Sequence, residues 1–224
     1  MVCIGRLSLN RSVVAAIGKN PVSSANKAKK LGADLLELRI DLLTENPRDI
    51  LEELKKLCLP IIITNRMKEE GGAWERSEDE RIKELISLIP LADAVDIELC
   101  AKKRDSVVNM AKNSGKTVII STHDFQSTPG NEVMEGVIRE SLDAGADIAK
   151  LAVMPNSLQD VLRLLDVTLK ANGPVCTIAM GEKGKHSRVI APVYGSVMTY
   201  GYVDTPTAPG QLKVDELKKI LKML

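Results

Sequence analysis

Lys150 lies inside Ile148–Ala149–Lys150–Leu151–Ala152–Val153, an otherwise apolar run. Lysine is rarely buried unless it is paired. Burial disfavours its charged form, so an amine held in such a run has a lowered pKa. The neutral amine is a nucleophile toward a carbonyl and can form a Schiff base. The bland alternative is a lysine that snorkels out from a strand end and does no chemistry.

Other polar residues fall where dry strands are expected. His123 follows the run Thr117–Val118–Ile119–Ile120–Ser121–Thr122 and precedes Asp124. A histidine there can take up and return protons near neutral pH, or it can be a solvated loop residue. Arg66 follows Ile61–Thr64, and Glu69–Glu70–Gly71–Gly72 comes next. Those glycines would let the segment fold back so that Glu70 reaches a histidine; otherwise it is a charged turn. Within Leu35–Asp41, alternation puts Leu36, Leu38 and Ile40 on one face and Glu37, Arg39 and Asp41 on the other. Three charges on one strand face make either a buried ion-pair network or a binding surface, and ion pairs stabilise a core inefficiently. Arg188 could hold a carboxylate with two hydrogen bonds. The segment Thr205–Gln211, with two prolines and a glycine, could close over a ligand or simply lead to the last helix. Asp96 and Glu98 point together from one run, with no third ligand at diagnostic spacing, so no metal is assigned. His186 lies in the charged segment Gly181–Arg188 and reads as a surface residue.

These positions need elements to carry them. Short apolar runs recur at Ser12–Ile17, Leu35–Arg39, Ile61–Thr64, Ala94–Glu98, Thr117–Thr122, Ile148–Val153, Val175–Ala179 and Met198–Tyr202. Eight runs in 224 residues allow 28 residues each, about one strand and one crossover helix. Helical spacing fills the gaps, as in Ile50, Leu51, Leu54 and Leu57 after Pro47, and Ile82, Leu85, Ile86 and Ile89 after a Ser77/Glu80 capping pattern. The stretch His186–Tyr194 is the weakest helix, because Pro192 interrupts it. The pattern predicts one α/β domain over residues 1–224, a closed (β/α)8 TIM barrel. An open doubly wound sheet usually carries a glycine loop after its first strand, and Gly18–Lys19–Asn20–Pro21 has no such pattern.

Composition narrows the function classes. The net charge of +1 excludes a strongly basic nucleic-acid binder, and 2% aromatics argue against base-stacking platforms. No run of 18 apolar residues is present, and Met1–Arg11 has no hydrophobic signal core, so a cytoplasmic protein with no membrane partner is expected. Cys3, Cys58, Cys100 and Cys176 have no metal-ligand spacing. They read as reduced thiols, three of them core fillers beside apolar neighbours. No cofactor fingerprint occurs.

Taken in order, Glu37–Leu38–Arg39, Arg66 with Glu70–Gly71–Gly72, Ser121–Thr122–His123–Asp124–Phe125, Lys150–Leu151–Ala152–Val153–Met154–Pro155, Met180–Gly181 with Ser187–Arg188, and Ala208–Pro209–Gly210–Gln211 resemble the type I 3-dehydroquinate dehydratases, from about residue 12 onward. The resemblance implies a (β/α)8 barrel that converts 3-dehydroquinate to 3-dehydroshikimate in the shikimate pathway without a cofactor. It implies that Lys150 forms the imine, His123 is the general acid and base, and Glu70 orients His123. By the same resemblance Glu37, Arg39 and Arg66 hold the ring hydroxyls, Arg188 clamps the carboxylate, and Thr207 and Gln211 belong to the closing loop. Thr207 stands where similar sequences mostly have Ser. Members of that family are often dimers, so a homodimer is an expectation. Two rival readings are a class I aldolase-like imine barrel, for which Gly181–Glu182–Lys183–Gly184 would be a faint phosphate loop, and a non-catalytic barrel that binds a small acid.

Overall fold

The computed structural model describes residues 1–224. A hairpin of β1 (Cys3–Ile4) and β2 (Leu7–Ser8) comes first. Then follow β3 (Ser12–Ile17), α1 (Pro21–Lys30), β4 (Leu35–Arg39), α2 (Pro47–Lys55), β5 (Ile61–Thr64), α3 (Glu78–Leu88), β6 (Ala94–Glu98), α4 (Arg104–Asn113), β7 (Thr117–Asp124), α5 (Asn131–Asp143), β8 (Ile148–Val153) and α6 (Leu158–Lys170). The chain ends with β9 (Val175–Ala179), the single turns α7 (Gly181–Gly184) and α8 (Ser187–Ile190), β10 (Met198–Tyr202), β11 (Leu212–Lys213) and α9 (Val214–Leu221).

Strands β3 to β9 pair in parallel in chain order, and β10 pairs with β3. The ring closes between β9 and β10, where the Val197 amide donates to the Val175 carbonyl at 2.8 Å and Ser196 Oγ accepts the Thr177 amide. The result is a (β/α)8 barrel, with β11 as a short extra strand beside β10. Alternation then sorts the side chains. Leu36, Leu38, Ile61, Ile63, Val95 and Ile97 pack outward against Ile50, Leu51, Leu54 and Leu85 of the helices. Val14, Leu35, Ile62, Ala94, Ile119, Ile148 and Met198 form a separate apolar cluster inside.

Three features follow from sequence signals that periodicity does not register. The hairpin stops the amino end of the barrel, where Ile4 and Leu9 join the inner cluster. Asp34, Asp93 and Asp147 each precede a strand, and each carboxylate accepts an amide of the preceding strand (Val13, Ile61 and Val118) at 2.7, 2.9 and 2.8 Å. These aspartates tie strands in pairs where the regular ladder has run out. A second capping box, Ser157 with Asp160, starts α6 just as the Ser77/Glu80 box starts α3.

Some expectations need correction. Strand β7 runs two residues longer than its apolar run, so His123 is a strand residue. Asp41 leaves the strand for a 3-10 turn, Ile40–Leu42. The stretch from His186 to Tyr194 is one single-turn helix rather than a crossover helix. Only Cys176 is buried; Cys3, Cys58 and Cys100 are exposed. Apolar neighbours mislead here because Cys3 lies in a two-residue strand whose adjacent residues face opposite ways, and Cys58 and Cys100 lie in the connections after α2 and β6.

Candidate active site

Along the inside of the barrel the residue types change from one end to the other. Strand β4 presents Leu35, then Glu37, then Arg39; β6 presents Ala94, Asp96 and Glu98; β7 presents Ile119, Ser121 and His123; β8 presents Ile148 and Lys150. All of these except His123 are buried, and His123 is only partly exposed. Parallel strands place the polar members together at their carboxyl ends, where barrels keep their chemistry. A cavity opens there. Glu37, Arg39, Arg66, Glu70, His123, Lys150, Arg188, Thr207 and Gln211 all line it, together with Tyr200 and Phe125.

Lys150 does not face bare hydrocarbon. Its Nζ lies 2.8 Å from Asp96 Oδ2 and 3.5 Å from Glu37 Oε1, and 4.2 Å from the centre of the Tyr200 ring. The expected unpaired amine is therefore replaced by an ion pair deep in the barrel, with Lys150 5% exposed and Asp96 1%. Asp96 also accepts Arg66 Nη2 at 2.7 Å through its other oxygen, which takes the Ser121 hydroxyl as well. Burial opposes the charge of Asp96, yet Arg66 and Lys150 outweigh it and hold the carboxyl well below its ordinary range. Arg66 Nη1 lies 2.8 Å from Glu98, whose second oxygen is 2.9 Å from Arg81. Burial works against the Arg66 charge too, and the surrounding carboxylates, Asp96 first, keep it firmly cationic.

Glu70 reaches the site through a chain reversal. After Arg66 the backbone turns so tightly that a Cβ on Gly72 would strike the Arg66 carbonyl, so only glycine fits. Asp41 holds the turn by accepting the Arg66 amide at 3.2 Å and the Ala73 amide at 3.1 Å, while Arg39 grips both its oxygens. Glu70 Oε2 then accepts the His123 backbone amide at 3.0 Å and lies 2.8 Å from His123 Nδ1. An oxygen already accepting one N–H is placed to accept another, which assigns the proton to Nδ1 and leaves Nε2 with a lone pair. Burial, then the positive charges of Arg66 and Lys150, push the His123 pKa well below its ordinary value, so the ring is neutral at pH 7. Burial first, with the nearby Glu98 charge adding to it, raises Glu70 to about 7 even though Arg66 pulls the other way.

Arg188 differs from the other cations of the cavity. Arg39, Arg66 and Lys150 each have a carboxylate partner, whereas Arg188 has only carbonyls: Gly210 at 2.8 Å, Pro209 at 2.9 Å and Tyr200 at 3.3 Å. Burial without a counter-charge lowers it to about 10. Three of its five N–H groups are used, so two are left for an anion. The closing segment is braced by Gln211, whose Oε1 accepts the Thr207 amide at 2.7 Å and whose Nε2 donates to the Thr207 hydroxyl at 3.1 Å. The glycine-containing segment after β9 forms α7, and its Gly181 amide donates to the Pro209 carbonyl at 3.2 Å. That amide therefore braces the closing segment. Sequence reasoning left Asp96 and Glu98 without a role and did not single out Tyr200. The signal was available in the alternation of their strands, which puts all three on the same inner surface as Lys150.

The sequence model of the family described as type I 3-dehydroquinase matches residues 12–224. A 3-dehydroquinate dehydratase of Methanosarcina barkeri is 51% identical over 241 residues, covering 100% of both chains. One of Methanococcoides burtonii is 48% identical over 233 residues, again covering 100% of both. Among solved structures, a type I 3-dehydroquinate dehydratase of Clostridium difficile, described as carrying covalent modified comenic acid, superposes with a TM-score of 0.92 at 30% identity, covering 99% of this chain and 96% of that one. A 3-dehydroquinate dehydratase of Geobacillus kaustophilus gives 0.91 at 29%, covering 96% and 91%.

Two measurements test the electrostatics. Replacing Arg66 by Met leaves Asp96 and Glu98 buried with too little positive charge, and urea unfolding should show a loss of about 3–5 kcal/mol. Arg188→Met breaks no ion pair and should unfold much nearer to the unchanged protein; equal losses would contradict the network. Glu70 binds its proton more tightly folded, at about 7, than at its ordinary 4.5. Its stabilising effect is therefore full below pH 4.5 and lost as the pH rises through 7. Relative to Glu70→Gln, which cannot titrate, the unchanged protein should lose about 3 kcal/mol between pH 4 and 8. A constant difference across that range would refute the raised value.

Proposed function

The chain belongs to the type I 3-dehydroquinase family, and from that premise we propose how its own residues remove water from 3-dehydroquinate to give 3-dehydroshikimate. The observation that carries the reading is one cavity lined by both Lys150, the lysine buried in the barrel, and the paired His123 and Glu70.

Lys150 Nζ attacks the C3 ketone, and loss of water from the carbinolamine gives an iminium. Its positive charge acidifies the neighbouring C2 hydrogen without any metal. Nε2 of neutral His123 takes that proton, and the electron pair moves into the C2–C3 bond as an enamine. The enamine expels the C1 hydroxyl, which leaves as water with the proton His123 has just gained. Hydrolysis of the conjugated imine releases 3-dehydroshikimate and restores Lys150. Asp96 is a poor acceptor for the proton that Nζ sheds before attack, because two cations hold its carboxylate ionised. His123 is the better acceptor, so it serves imine formation and hydrolysis as well. Glu70 keeps Nδ1 protonated and Nε2 available.

Arg188, the buried guanidinium without an acidic partner, takes the substrate carboxylate on its two remaining N–H groups. Glu37 accepts from ring hydroxyls. Arg39 and Arg66, committed to Asp41, Asp96 and Glu98, shape the pocket wall and offer donors at its edge. Thr207 and Gln211 bring the closing segment over the ring. Residues 1–224 act as one catalytic domain.

We also infer a homodimer and a cytoplasmic setting. Leu158, Leu162 and Leu169 lie on one face of α6 and are 60%, 64% and 62% exposed; Val133 of α5 adds another exposed apolar side chain. Neighbouring apolar side chains of this kind suit contact with a second copy. Three exposed thiols suit a reducing compartment.

Borohydride added with 3-dehydroquinate should fix a reduced adduct on Lys150, located by peptide mass mapping. An active enzyme with no adduct there would refute the lysine assignment. In His123→Ala kcat should fall about 10^2–10^4-fold, with the imine forming more slowly but accumulating, because its onward proton transfer and hydrolysis are lost as well. Leu162→Glu should convert the dimer to monomer in light scattering after gel filtration; an unchanged mass would exclude this face.

A further inference from the structure

Tyr200 lies on β10 inside the barrel and is only 3% exposed. Its backbone carbonyl accepts from Arg188, and its ring covers Lys150 Nζ at 4.2 Å from the ring centre. Its hydroxyl is buried and meets no hydrogen-bond partner in the protein. Phenylalanine would fill the same space and face the same amine without the cost of that orphan group. Buried phenol hydroxyls usually find a partner, and this residue lines the cavity assigned to the substrate.

The hydroxyl sits at the rim of the ring whose face covers Nζ. An imine carbon bonded to Nζ carries two neighbours in the substrate ring, the C2 methylene and the C4 carbon with its hydroxyl. Only the second offers an oxygen on that side. Glu37 is close by: its Oε1 accepts the Thr64 hydroxyl at 2.9 Å and lies 3.5 Å from Nζ, while its other oxygen has no side-chain donor. A substrate hydroxyl has one proton to give and lone pairs to fill. Glu37 can only accept. Tyr200 can donate, since burial and the charge of Glu37 keep its hydroxyl protonated far above pH 10. The two residues together take the alcohol's one proton and fill one of its lone pairs.

We propose that Tyr200 is a specificity-determining residue whose hydroxyl donates a hydrogen bond to the C4 hydroxyl of the ring held on Lys150, with Glu37 accepting from the same group. This rests on the imine reading of Lys150. It requires an alcohol next to the reacting carbonyl and disfavours substrates that lack one.

Tyr200→Phe is the test, with 3-dehydroquinate and its 4-deoxy analogue as probes. For 3-dehydroquinate, kcat/KM should fall about 3- to 12-fold, mostly through KM, the size of one neutral hydrogen bond. For the 4-deoxy analogue the variant and the unchanged enzyme should agree within twofold. The thermal midpoint of the ligand-free variant should be no lower, because an orphan hydroxyl has been removed. A smaller fall, an equal fall for both substrates, or a lowered midpoint would each overturn the proposal. Borohydride trapping on the unchanged enzyme separates the two levels. An adduct on Lys150 with an unaffected Tyr200→Phe enzyme removes Tyr200 alone, whereas no adduct removes the imine and this proposal with it.

Discussion

The contact between Lys150 and Asp96 is the constraint around which the upper half of the barrel is arranged. A lysine in the middle of a strand buried on both faces needs a carboxylate, and Asp96 supplies it at 2.8 Å. A lone carboxylate at that depth needs more positive charge than one amine provides at all stages of a reaction that changes the amine. Arg66 supplies it, and then requires Glu98, which in turn meets Arg81. Buried ion pairs return little net stability over hydrocarbon, but breaking one is costly. The chain thus keeps a charged interior that is worth its cost only if the charges do chemistry.

That arrangement explains why polar residues sit at one end alone. The hairpin and inward apolar residues near the amino ends of the strands, among them Val14, Leu35, Ile62, Ala94, Ile119 and Ile148, make an apolar floor beneath the charged layer. The only approach to Lys150 is then from the carboxyl ends, past His123 and Arg188. The aspartates that tie strand pairs at the amino end do the reverse: they place their charges where water can reach them, and Lys112 and Lys218 pair with two of the three. One end of the barrel is devoted to strand register and the other to reactivity.

Much of this is legible in the sequence because burial on both faces gives barrel strands nearly continuous apolar runs, and any polar residue in them stands out. Lys150, Glu37 and His123 are found in that way. Asp96 stands out equally, but its importance depends on which strand lies two positions away across a closed sheet, and no local pattern reports that. The reach of Glu70 to a histidine is suggested by the paired glycines, but the tightness of the reversal, with Gly72 against the Arg66 carbonyl, is visible only in the fold. The hairpin leaves no mark in the sequence pattern because two-residue strands have no periodicity. The repeated Gly–Ala–Asp at residues 32–34 and 145–147 was in plain view; its meaning lies in a hydrogen bond to a strand more than twenty residues earlier. Tyr200 escaped notice because a tyrosine in an apolar strand looks like packing until its hydroxyl is found without a partner.

Arg188 links binding to closure. The guanidinium that has no acidic partner is the same group that holds the Pro209 and Gly210 carbonyls, so on the proposed assignment the last loop and the substrate carboxylate share one cation. Each pair of carbonyl contacts partly relieves the burial of that charge, but a carbonyl dipole does so less well than an anion. An arriving carboxylate therefore strengthens the group to which the segment is tied. The segment also fits tightly: a Cβ on Gly210 would strike the Gly181 carbonyl, and the left-handed φ of +70° at that residue suits glycine. Gln211 follows directly and braces Thr207. On the proposed assignment, a ligand that bears a carboxylate at the right distance from its ketone engages Lys150 and Arg188 together, and Arg188 is also the group that holds the Pro209 and Gly210 carbonyls. A ketone without the acid would reach the amine under a lid whose cation remains unneutralised. On that assignment, selection for a carboxylate is built into the way the last loop is held.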